Sequence, residues 1–217
     1  MGHAAASNLP GPLKFGASLA IEQLIGLTAE LQKLRCHPPL VKRQDGKYEG
    51  DILGFVKGLR LSARVIYFLR ERLSQTGLEV NWGHILDNNE QSCSPECDII
   101  IHTKGHVREW NGGRSPVMHF KFIKASCVRA VVSCKSYLTD IDRDYPRGLK
   151  KFGVGNVFLF AECCDESCIT RLQKKAEKLG YKGLCCLYLT GEDASQYKTD
   201  EAMYADFSNA ILKTVTI

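Results

Sequence analysis

The chain has 217 residues, 44% of them hydrophobic and 24% charged, enough to bury one core and ordinary for a globular domain. No apolar run approaches the roughly 20 residues that span a bilayer, and Met1 to Ser7 lacks the basic region and apolar core of a signal peptide. The net charge of +5 lies in clusters at Lys42-Arg43, across 60–72 and across 143–151, which suits nucleic-acid phosphates or a solvated, mildly basic surface.

The ten cysteines are many for this length. Cys127, Cys134, Cys185 and Cys186 fall in apolar runs, where a reduced thiol behaves as a small hydrophobe. Without a secretory signal, disulfides are not expected, and a reduced, cytoplasmic chain is.

The apolar spacing of Leu19, Ile21, Leu24, Ile25, Leu27 and Leu31 predicts a helix over 16–34, stopped by Cys36-His37-Pro38-Pro39. A polar loop over 42–50 leads to a second helix, from Ile52 or Gly58 to Ser74, with Gly77 as its stop. Strands follow over 78–86 and 97–103. The glycine-rich stretch 104–116 reads as a loop and 117–123 as a short strand. Val128 to Tyr137, β-branched and mostly apolar, is a strong strand. A broken helix is expected over 139–152, a strand over 154–161, a helix over 166–179 closed by Gly180, a strand over 183–189 and a final helix over 200–214. Late strands separated by a helix imply a parallel crossover, and early strands joined by loops imply antiparallel pairing. The expectation is an α/β fold with a mixed central sheet flanked by helices.

Two strands carry polar residues where apolar ones are expected. Asp98 leads the isoleucine run Ile99-Ile100-Ile101, and Lys135 interrupts Val131-Val132-Ser133-Cys134. Burying a lone charge costs several kcal/mol, so the two are expected to meet at a sheet end if their strands are neighbours. A plain structural ion pair is the competing reading.

Pro95-x-x-Asp98, followed some tens of residues later by a hydrophobic strand ending in x-x-Lys135, resembles the PD-(D/E)xK, or restriction-endonuclease-like, nuclease superfamily. Gly83-His84-Ile85-Leu86-Asp87, Ser94 to Ile101 and Ser133 to Ser136 resemble an uncharacterised bacterial group within it. The resemblance covers roughly half the chain. It implies one nuclease-fold domain over 1–217, with an N-terminal helical extension (1–45), a core (52–190) and a C-terminal helix (191–217). In such a site Asp98 would be the first ligand of Mg²⁺, the Cys134 backbone carbonyl a second, and Lys135 the catalytic lysine.

The chain departs from the family at Ser133, which stands where the motif has an acid, and near Ser62, where the first helix has another. Glu96, two residues before Asp98, is the candidate compensating acid and metal ligand. Arg108, Arg114 and Ser136 are candidate nucleic-acid contacts. The resemblance implies nucleic acid, DNA in particular, as partner, Mg²⁺ as a cofactor that this chain has weakened or lost, and a homodimer or protein partner by analogy. Three functions follow: a degenerate nuclease-fold protein that binds nucleic acid, an active Mg²⁺-dependent DNA endonuclease completed by Glu96, and a non-enzymatic α/β interaction module.

Weaker signals are read structurally. Cys93-x3-Cys97 and Cys163-Cys164-x3-Cys168 lack the usual zinc spacing, and 163–167 is expected to open a helix with Asp165 as N-cap. The histidines show no ligand spacing.

Overall fold

The computed structural model describes residues 50–105, 107–111, 119–191 and 197–215. All belong to the unit Val41–Ile217; the other unit, Met1–Leu40, and with it the expected helix over 16–34, lies outside the described residues. The elements are α1 (Gly50–Leu73), β1 (Leu78–Leu86), β2 (Cys97–Thr103), β3 (Val107–Asn111), β4 (His119–Lys124), β5 (Val128–Tyr137), α2 (Asp144–Lys150), β6 (Val157–Asp165), α3 (Ile169–Leu179), β7 (Gly183–Thr190), β8 (Tyr197–Thr199) and α4 (Glu201–Val215).

The strands form one sheet in the order β3-β4-β1-β2-β5-β6-β7-β8. β2 is antiparallel to β1 and to β5, while β5, β6 and β7 run parallel. The β6–α3–β7 crossover is the one the alternating pattern predicts. Leu172 and Ala176 of α3 and Leu149 of α2 share a core with Ile85, Ile100, Ile123, Val131 and Leu159. On the opposite face, α1 packs on β5 and β1, and α4 on β7 and β5. There Phe207 of α4 meets Phe158 and Phe160 of β6, each at 5.8 Å between ring centroids. This is the mixed, helix-flanked sheet that the sequence implies. Among the described residues no helix is long and apolar enough to cross a membrane.

Four expectations need correction. The stretch 104–116 is not all loop: Val107–Asn111 is a strand, paired antiparallel with β4. Three-glycine composition hid it, because edge pairing to β4 supplies what its own pattern lacks. The early strands are not all antiparallel, since β1 and β4 run parallel. That pairing forces Gly83, at φ 151°, against the Lys121 carbonyl, where a Cβ would lie 2.0 Å from the oxygen. The strand expected over 154–161 starts at Val157 and runs on to Asp165. Cys163 and Cys164 therefore lie in β6 rather than opening a helix, because β7 pairs with both. Asp165 then caps the following short 3-10 turn by accepting from the Ser167 N–H at 2.8 Å.

Candidate functional site

The register places Ile99 opposite Val132 and Ile100 opposite Val131, so Asp98 stands opposite Ser133 where β2 begins. Directly opposed residues share a face. The Ser133 hydroxyl donates to Asp98 Oδ2 at 3.3 Å, and the Cys134 backbone N–H donates to the same oxygen at 2.8 Å. The carboxylate thus carries the β2–β5 pairing past its last backbone pair, Ile99 with Val132. The Cys134 carbonyl leaves the strand on that same side, since a strand residue turns both its backbone polar groups one way.

Asp98 is half-buried and Lys135 exposed. Burial pushes the Asp98 carboxyl above the usual carboxylate range. The Cys134 N–H, the Lys135 charge and the Ser133 hydroxyl pull it back, and Glu96 adds a small upward push. Among the described residues, Lys135 has no direct ion pair with Asp98 and acts on it at longer range.

The remaining sequence-derived candidates are more scattered. Glu96 precedes β2 and is exposed, with Oε1 accepting from the Trp82 indole N–H at 2.6 Å. Ser136 is half-buried on β5 beside Lys135. Arg108 is exposed on β3 and ion-paired with Glu90. Arg114 lies outside the described residues. Ser62 is buried in α1, with its hydroxyl at the Cys134 thiol. Strand alternation puts that thiol on the far side of β5 from the Ser133 hydroxyl, so Ser62 and Ser133 do not share a pocket. Asp87 accepts from the Ser92 hydroxyl and from the N–H groups of Gln91 and Ser92, closing the loop after β1. These bonds hold its carboxyl below the usual range.

The sequence reading misses two further polar residues. Tyr145 of α2 has a buried hydroxyl with no hydrogen bond of good geometry, lying against the Cys97 thiol and near Asp98. Burial, reinforced by those neighbours, raises its pKa. Nothing in Asp144-Tyr145-Pro146 signals this, because only the packing of α2 brings the ring there. Glu162 of β6 is buried, and the Tyr188 hydroxyl donates to it at 3.3 Å. Glu162 breaks an apolar run much as Lys135 does, and the same criterion finds it once the strand is extended past Ala161.

Among the described residues, no group of three or more His, Cys, Asp or Glu side chains converges to hold a metal. For Mg²⁺ the site offers the Asp98 carboxylate, the Ser133 hydroxyl and the Cys134 carbonyl. That is one formal charge from the protein, where hard-cation sites for phosphate chemistry draw on one or two carboxylates plus the phosphate itself. That set is at the lower limit for such sites, and Asp98, Ser133 and the Cys134 carbonyl would hold a cation only weakly without the phosphate.

No family model matches the chain, and no curated protein is significantly similar to it. Solved structures similar to it over nearly its full length include two of NucC. NucC of P. aeruginosa ATCC27853, in a cAAA-bound form, gives a TM-score of 0.57 at 11% identity, covering 99% of this chain and 94% of that one. NucC of E. coli MS115-1, also cAAA-bound, gives 0.58 at 11% identity, covering 99% and 95%. At such identity the likeness carries architecture alone, and the chain has a mixed α/β fold of the kind found in NucC.

Proposed function

We propose that this nuclease-fold chain binds nucleic acid, DNA in particular, at the β2–β5 sheet end and cleaves it weakly or not at all. The observation that carries the reading is the pairing of Asp98 with Ser133. A nuclease-fold site keeps its first acid and presents an exposed lysine, while the strand position opposite the acid holds a neutral hydroxyl. Lys135, exposed among the described residues, would neutralise a phosphate, and each phosphate so neutralised releases counterions and makes binding salt-sensitive. Asp98, already occupied by Ser133 and the Cys134 N–H, has one carboxylate to give a divalent cation. Efficient hydrolysis of a phosphodiester asks for more, because the attacking water needs a metal or a strong base to activate it.

An active endonuclease completed by Glu96 is the second reading. It is favoured by one observation, that Glu96 lies close enough to raise the Asp98 carboxyl. Against it, Glu96 is engaged by Trp82.

The test is a plasmid cleavage assay with Mg²⁺ and Mn²⁺, run beside salt-dependent DNA binding, on wild type, Asp98→Ala and Lys135→Ala. The proposal expects no efficient cleavage, and DNA binding that weakens with salt and with Lys135→Ala. Cleavage abolished by both substitutions overturns it in favour of the active enzyme. Absence of both cleavage and binding favours an interaction module.

A further inference from the structure

The geometry points to a single-stranded nucleic-acid platform on the outer strands, built from His84, Phe122, Arg108 and Lys124, separate from the Asp98–Lys135 sheet end. It rests on the nucleic-acid reading above and adds a substrate class to it. His84 of β1 is paired with Phe122 of β4, and Arg108 of β3 with the same Phe122. Paired residues share a face. Their chain neighbours Ile85 and Ile123 point into the core under α2 and α3, so the three stand on the opposite side. The two rings are stacked, with centroids 5.4 Å apart and planes 17° from parallel, and both residues are half-buried rather than enclosed.

The platform is held in place before any ligand arrives. The His84 ring is tied to the Ser94 carbonyl through Nδ1 at 3.0 Å. If Nδ1 carries the proton, Nε2 is left as an acceptor. Ser94 is itself locked to Ile85: its hydroxyl accepts from the Ile85 N–H at 2.9 Å, and its N–H donates to the Ile85 carbonyl at 2.8 Å. Asp87 closes the loop between them. That loop carries Glu90, whose carboxylate is ion-paired with Arg108 and lies 3.9 Å from the Lys124 ammonium. The two cations bracket one shared anion beside an aromatic stack, on a loop whose other carboxylate, Asp87, is taken up by its own hydrogen bonds.

Aromatic faces beside cations are what unpaired bases use, since every base has a π-face and each nucleotide brings one phosphate. A duplex hides its base faces and cannot use the stack. The expected arrangement has a base continuing the His84–Phe122 stack, with its phosphate drawn to Arg108 and Lys124 in competition with Glu90.

The probe is a fluorescently labelled oligothymidylate, compared with a labelled duplex of equal length by anisotropy across a salt series. Phe122→Leu keeps apolar volume and removes the π-face, and its melting temperature checks folding. It is expected to weaken oligothymidylate binding by roughly 10-fold or more and to leave duplex binding unchanged. Arg108→Ala is expected to reduce the salt slope for the oligonucleotide by about one phosphate contact. Equal oligonucleotide affinity in folded Phe122→Leu and wild type, with Lys135→Ala still weakening the duplex, overturns the platform and leaves the nucleic-acid reading standing. No binding of either probe by wild type overturns both.

Discussion

Ser133 stands opposite Asp98, with its hydroxyl 3.3 Å from Oδ2. Ser133→Asp places a second carboxylate where that hydroxyl lies. Two unit charges about 4 Å apart repel by about 4 kcal/mol at an effective dielectric of about 20. Protonation sets a similar ceiling, since holding one carboxyl neutral about 3 pH units above its ordinary value costs about 4 kcal/mol. The ammonium of exposed Lys135 and the nearby solvent offset part of this, so a loss of about 2–3 kcal/mol is expected. For a chain of this size that lowers the melting temperature by roughly 4–12 °C. The assay is a thermal melt of wild type, Ser133→Asp and Ser133→Asn in EDTA and in Mg²⁺; asparagine changes shape without charge. Ser133→Asp is expected to lose stability in EDTA and recover part of it with Mg²⁺, because a cation bridging two carboxylates binds only the folded chain. Wild type and Ser133→Asn are expected to respond little. A Ser133→Asp protein as stable as wild type in EDTA refutes the placement of position 133 beside Asp98. One that is destabilised yet indifferent to Mg²⁺ refutes the idea that a single acid separates this site from a metal centre.

Asp98→Asn is expected to raise the neutral-pH melting temperature. The folded carboxyl sits above its unfolded value of 3.8, chiefly through burial. Stability is therefore lost as pH rises through the window above that value, and the gain from asparagine should vanish at pH below it; a melt series over pH reads this directly. His102 runs the other way: burial lowers its pKa from 6.5, so the folded chain resists the proton that the unfolded chain accepts. Its contribution is complete above that value and shrinks as pH falls below it, and His102→Gln should flatten that limb of the melting curve. Asn81→Leu should cost about 2–4 kcal/mol in chemical denaturation, because Asn81 Oδ1 accepts from Arg70 at 3.0 Å and Nδ2 meets His102 Nε2 at 2.8 Å. Gly83→Ala should cost about 3 kcal/mol or more by the same measurement, through the Lys121 clash and the positive φ.

Local chemistry made much of this protein legible in its sequence. The bounds of β1, β2 and β5 follow from apolar and β-branched runs cut by turn residues, and they fall where the pattern puts them. Asp98 and Lys135 stand out because each interrupts such a run. The mixed, helix-flanked sheet follows from the order of elements, since a helix between two strands leaves a parallel pair as its ordinary outcome. Other features belong to the tertiary structure alone. β3 exists as a strand because β4 lies beside it, and β4 runs parallel to β1 although their sequence separation implies no such pairing. Tyr145 reaches Asp98 through the docking of α2. Ser62 and Ser133, alike as serines where acids are expected, are parted by the thickness of the sheet. The physical reason is common to all four. A residue's own neighbours set its dihedral preferences and its apolar rhythm, but which side chains meet across strands depends on register, and register is fixed by the packing of the whole sheet.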